Sequence, residues 1–172
     1  MKDLAGTAAA VQSITDRQDL EPREKIRQLL AYGNELFSTS SALVSNVQGS
    51  KYVIVYCVSE EAEVDPGTAF ELDDTYCIHT LQSDGPLAFH KASESEIAGH
   101  PCYNMFRLET YIGAPIRFGG SAWGTLNFTA VEAREPFQGA DLDTMAALSA
   151  AVGRELVAAG QAASVHSGVR VT

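Results

Sequence analysis

A chain of 172 residues, 45% hydrophobic and 20% charged, is long enough for one sizeable core and too short for two ordinary domains. Twenty-two acidic residues against twelve basic ones give a net charge of −10 with no Lys/Arg cluster, which argues against a nucleic-acid partner. No apolar run reaches a membrane span and no signal-type apolar segment follows the start, so the expected location is cytoplasmic, with Cys57, Cys77 and Cys102 as free thiols.

Residues 1–20 show only a weak apolar recurrence at Leu4, Ala8, Val11 and Ile14, and are expected as an N-terminal arm or frayed helix. The pattern sharpens in 21–158. Pro22 suits a first helical position, and Ile26, Leu29, Leu30, Gly33, Leu36 and Phe37 recur at helical spacing. Two strands follow, Ser41 to Gln48 and Lys51 to Ser59, turning at Gly49 and Ser50. Glu60 to Thr110 lacks strong periodicity apart from a strand at Pro86 to His90; irregular stretches of this length, about fifty residues, usually hold a ligand.

A second strand pair, TYIGAPIRFGGSAWGTLNFTAV, turns at Gly119 and Gly120, where positive φ is needed. Leu126, Phe128 and Ala130 point to one face of its second strand, and Thr125, Asn127 and Thr129 to the other. Pro115 has no amide hydrogen, so its nitrogen must sit at an edge, a bulge or an unpaired position. Leu142, Met145, Leu148, Val152 and Leu156 form the stripe of a last helix that Gly160 can stop, and 159–172 is expected as a flexible tail. The order predicts an α+β domain: a central antiparallel sheet covered on one face by the terminal helices.

FELDDTYCIHTLQSDGPLAF, HPCYNMFRLETYIGAPIRFGG and SAWGTLNFTAVEAREPFQGADLDTMAAL together resemble the GAF domain, in the subgroup attached to bacterial sensor histidine kinases and related regulators. The likeness spans about Glu24 to Val157. It implies terminal helices on one sheet face, a ligand pocket over the other, a homodimer through those helices, and signalling to an effector kinase or regulator, as in two-component systems.

DDTYCIHTL has four readings. As a metal site it fails: Cys77 and His79, two apart on a helix, point about 200° apart, and His90, His100 and His166 share no face with them, so no metal is expected. As a bilin attachment point it departs from the family, because Ile78 separates cysteine from histidine. As a redox centre, Cys77 would be the third residue of a helix capped by Asp74, where the helix dipole favours thiolate. With Cys102 it would be similar to free methionine sulfoxide reductase, a thiol-dependent GAF enzyme, although no acidic residue follows Cys102. The fourth reading makes Cys77 a small buried residue lining the pocket, with His79 on another face.

The ligand-binding residues expected on this last reading are Tyr76, Cys77, Tyr103, Phe106, Arg107, Tyr111 and Asn127. Aromatic rings would stack on the ligand while phenols and an amide give it direction. The residues name no cofactor. The sequence-level expectation is a non-catalytic sensor of a small molecule, with the thiol enzyme (Cys77, Cys102) and a protein-interaction module with a filled pocket as alternatives.

Overall fold

The computed structural model describes residues 4–61 and 63–162; His166 and the rest of the expected tail from 163 lie outside the described residues. Six strands form one antiparallel sheet in the order β3-β2-β1-β6-β5-β4, from β1 (Ser41–Gln48), β2 (Lys51–Ser59), β3 (Ala69–Glu71), β4 (Leu87–Phe89), β5 (Thr110–Phe118) and β6 (Ser121–Ala130). The helices are α1 (Leu4–Thr15), α2 (Pro22–Phe37), α3 (Cys77–Gln82), α4 (Pro101–Phe106) and α5 (Gly139–Ala158). Among the described residues, no helix is long and apolar enough to cross a membrane.

The alternation of the central strands divides the interior in two. One face receives Ala42, Val44, Ile112, Ala114, Leu126 and Phe128, packed against Ile26, Leu29 and Phe37 of α2 and Met145, Leu148 and Val152 of α5. Gly33 lets α2 rest on the Phe128 ring, since an added Cβ would lie 2.2 Å from it. The opposite face carries Tyr52, Ile54, Cys57, Tyr76, Cys77, Cys102 and Tyr111.

Several local features follow from their residues. Gly119 and Gly120 take φ of 60° and 83° in the β5–β6 turn. Pro115 pairs with Thr125 on one side, and β4 ends its pairing at Gly113 on the other, so the proline nitrogen faces no strand. At the end of α2, Asn34 donates to the Val58 carbonyl and accepts from Thr39 Oγ1.

The ends are more ordered than periodicity alone suggests. Residues 4–15 are helical, with Val11 buried in the helix-face core and Lys25 Nζ bonded to the Thr15 carbonyl at 2.7 Å. Residues 159–162, expected in the tail, extend the core: Ala162 is buried and Tyr56 donates to Gln161 Oε1. The apolar stripes of α2 and α5 are covered within the chain. Among the described residues, the large exposed hydrophobics are Leu4, Met105 and Val131.

Candidate functional site

Opposite the helices, residues 72–82 and 101–108 lie over the sheet and leave a cavity of about 250 Å³. Its floor is built by Tyr52, Ile54, Cys57, Tyr111 and Asn127 from the strands; its roof by Thr75, Tyr76 and Cys77 and by Cys102, Phe106 and Leu108. Glu61 and Val131, both exposed, mark the mouth. The interaction-module alternative assumed a filled pocket, and the space here is open.

Strand parity explains the floor. Tyr52 and Ile54 share a face by simple alternation, but Ser45 pairs with Ile54 while Val44 pairs with Tyr56, so β2 carries one extra residue. That bulge turns Tyr56 to the helices and Cys57 to the cavity. Sequence alternation alone could not find Cys57.

Cys77 sits at the centre of a polar cluster. Its Sγ accepts from Thr125 Oγ1 and Asn127 Nδ2, each at 3.2 Å, and lies 3.4 Å from the Tyr111 phenol oxygen, which also pairs with Thr80 Oγ1 at 2.6 Å. Asn127 Nδ2 donates in addition to the Tyr52 phenol oxygen at 2.8 Å. Both amide hydrogens are thus used, and Asn127 Oδ1, buried, has no partner. Tyr111 reaches this cluster because its ring lies over Gly113, where an added Cβ would be 2.4 Å from the phenol oxygen. The glycine of the Tyr-Ile-Gly motif is a packing requirement.

Electrostatics follow from burial. The phenols of Tyr52 and Tyr111 are pushed well above their usual range by burial, and Cys77 beside them acts in the same direction. Burial raises Cys102 from 9.0 to about 12, with Cys77 and Asp74 adding to the shift and the Tyr76 backbone opposing it. Burial also raises Cys57, whose Sγ accepts from the Val64 amide at 3.3 Å. Cys57 and Cys102 are therefore held as neutral thiols, unsuited as nucleophiles near neutral pH.

Of the residues expected at the site, Tyr76, Cys77, Phe106, Tyr111 and Asn127 come together, and Cys102 joins them. Tyr103 and Arg107 do not line the cavity. Arg107 ends α4 in a left-handed conformation, exposed, with its guanidinium 5.6 Å from the Tyr103 ring centre, and the Tyr103 hydroxyl donates to Glu109 Oε1 at 3.0 Å. The expected cap is also displaced. Leu72–Asp74 forms a 3-10 turn of its own, closed by the Thr75 hydroxyl on the Leu72 carbonyl, and extended Thr75 separates it from α3. Cys77 is consequently the first residue of α3 rather than its third, and Tyr76 precedes it. His79 is half-buried, its ring centre 5.0 Å from that of His100. Among the described residues, no three His, Cys, Asp or Glu side chains are grouped to hold a metal.

The sequence profile of the GAF domain matches residues 24–156. A comparison with curated proteins finds no match. Among solved structures, the chain is similar to the GAF domain from an Acinetobacter phosphoenolpyruvate-protein phosphotransferase, at 12% identity and TM-score 0.71 over 93% of this chain and 97% of that one. It is similar to free methionine-R-sulfoxide reductase from Neisseria meningitidis in complex with its substrate, at 14% identity and TM-score 0.70 over 95% and 96%. The phycoerythrobilin-bound GAF domain from a cyanobacterial phytochrome gives 13% and 0.69 over 93% and 97%. At identities this low, the likeness to these structures shows the fold alone.

Proposed function

We propose, for a chain that belongs to the GAF domain family, a sensory and regulatory role without catalysis of its own: a small molecule binds the cavity and the terminal helices report it to an effector. The observation that carries this reading is a cavity of about 250 Å³ walled by Phe70, Tyr76, Phe106 and Tyr111, which accept a flat apolar body.

The route outward is short. Asn127 and Phe128 are neighbours on β6, one facing the cavity and the other packed on Phe37 of α2. A ligand that bridges Asn127 and the roof would favour one arrangement of 72–108, and a ligand indifferent to that arrangement would shift nothing. Burial holds Cys102, one of the two thiols of the enzyme alternative, away from thiolate, which favours a binding role.

Saturation-transfer NMR with a fragment library tests the site. Fragments that bind the wild type are expected to lose their signal against Thr129→Phe, which fills the cavity from the sheet side, at similar melting temperature. Fragments retained by a folded Thr129→Phe protein would place binding elsewhere and end this reading.

A further inference from the structure

We propose that the cavity takes an uncharged aromatic molecule of one ring or two small fused rings. This rests on the ligand-pocket reading above and names its ligand class.

Volume sets the size. An apolar cavity of about 150 Å³ admits benzene, and drug-sized ligands occupy sites of roughly 300–1,000 Å³. At about 250 Å³ the space here lies between the two, which suits a single ring with a short arm or a fused pair such as indole.

The walls present ring, hydrocarbon and sulfur. Phe70 meets Phe106 edge-on at 5.6 Å, and Tyr76 meets Tyr111 in the same way at 5.5 Å. Cys57, Cys77 and Cys102, the three cysteines of the chain, all line the space. A buried free cysteine behaves as a small polarizable hydrophobe, so the thiols extend the apolar lining.

The polar groups of the walls are engaged with one another. Tyr52 accepts from Asn127 Nδ2 at 2.8 Å, Tyr76 donates to the Leu108 carbonyl at 3.1 Å, and Tyr111 pairs with Thr80 Oγ1 at 2.6 Å. Asn127 Oδ1 is itself buried and offers a ligand no surface. An ionised group carried into this space would lose its water without gaining a partner.

Nothing in the lining supplies a counter-charge. Among the described residues no lysine, arginine or histidine lines the cavity, and its one carboxylate, Glu61, is exposed at the mouth, where an ion pair contributes little and an anion is repelled. Burial keeps Cys57 and Cys102 neutral, so neither offers a thiolate to a cation.

Isothermal titration of the full chain at pH 7 with benzyl alcohol, indole, benzoate and benzylamine tests the class, because the first, third and fourth share one ring and a one-carbon arm. Benzyl alcohol and indole are expected to bind, and benzoate and benzylammonium to bind roughly tenfold more weakly, as an unpaired polar group costs. Binding of the neutral probes should vanish in Thr129→Phe, and in Cys102→Phe, which enters from the roof and serves where the first variant does not fold. If benzoate or benzylammonium binds the cavity as tightly as benzyl alcohol, the uncharged class is overturned and the cavity stands as a ligand site. If neither benzyl alcohol nor indole binds while fragments lost in Thr129→Phe do, the proposal is likewise overturned and the pocket reading survives. If no fragment depends on the cavity, both fail.

Discussion

On the helix face of β6, Leu126 and Phe128 meet Leu30, Phe37 and Leu148 in a packing of hydrocarbon on hydrocarbon. One residue along the same strand, Thr125 and Asn127 turn the other way, toward the cavity, surround a thiol, and leave a buried carbonyl oxygen unpartnered. Each burial on the first face adds stability at about 25 cal/mol per Å². On the second face, polar groups are desolvated and only partly compensated. A sheet anchored firmly by its helices can carry a second face that is suboptimal for folding, and that second face is where selection for binding can act.

The largest effect is expected where the contrast is sharpest. Phe128 is fully buried, 5.2 Å from the Phe37 ring centre and directly under Gly33. Phe128→Ala should cost about 3–5 kcal/mol in urea unfolding, because α2 cannot follow the lost ring. Cys102→Ala on the opposite face trims a wall that already borders a cavity, and should cost about 1 kcal/mol. Equal losses for the two variants would break the comparison.

The same contrast governs what could be read beforehand. The helix face was legible because its signal is periodic: Ile26, Leu29, Leu30 and Phe37 at helical spacing, Leu126 and Phe128 at strand spacing. The cavity face was legible only in part. Tyr76, Cys77, Tyr111 and Asn127 were within reach of motif and alternation, but Cys57 depends on a bulge, and Tyr52 reads like any strand aromatic. Tyr103 and Arg107 sit beside pocket residues in sequence, yet the six-residue α4 turns Cys102 and Phe106 inward and ends in a left-handed Arg107 that points to solvent. Three-residue β3 lies below the length at which alternation carries information.

Alkaline pH should act more on the cavity face than on the helix face, where burial raises the Tyr56 phenol alone among the core residues. The buried acids of the cavity face have raised values: Cys102, moved from 9.0 to about 12, and the phenols of Tyr52, Tyr76 and Tyr111, all chiefly by burial. For a group raised in the folded state, stability is complete below the unfolded value and lost as pH rises through the folded one. Unfolding free energy is therefore expected to fall from about pH 9 toward about pH 12, with a shallower decline in Cys102→Val. Urea titrations across that window check it, and identical slopes for wild type and variant would remove Cys102 as a contributor.

The smallest expected effect lies at the opposite end of the pH scale, in the cavity roof. His100 caps α4: its Nδ1 accepts from the Cys102 backbone N–H at 3.0 Å, which requires a neutral imidazole with the lone pair on that nitrogen. Burial lowers its pKa below 6.5, His79 adds in the same direction, and Asp74 opposes. For a group depressed in the folded state, stability is complete above the unfolded value and lost as pH falls through the folded one. Protonation cancels the acceptor, so acidification from neutral pH should remove about 1 kcal/mol, the usual worth of a helix cap. Because α4 carries Cys102 and Phe106, amide exchange across residues 102–107 should speed up with it. His100→Asn keeps an acceptor that does not titrate, and is expected to flatten both responses below pH 6.5. If His100→Asn exchanges with the same pH dependence as the wild type, the imidazole is not the group that loosens the roof.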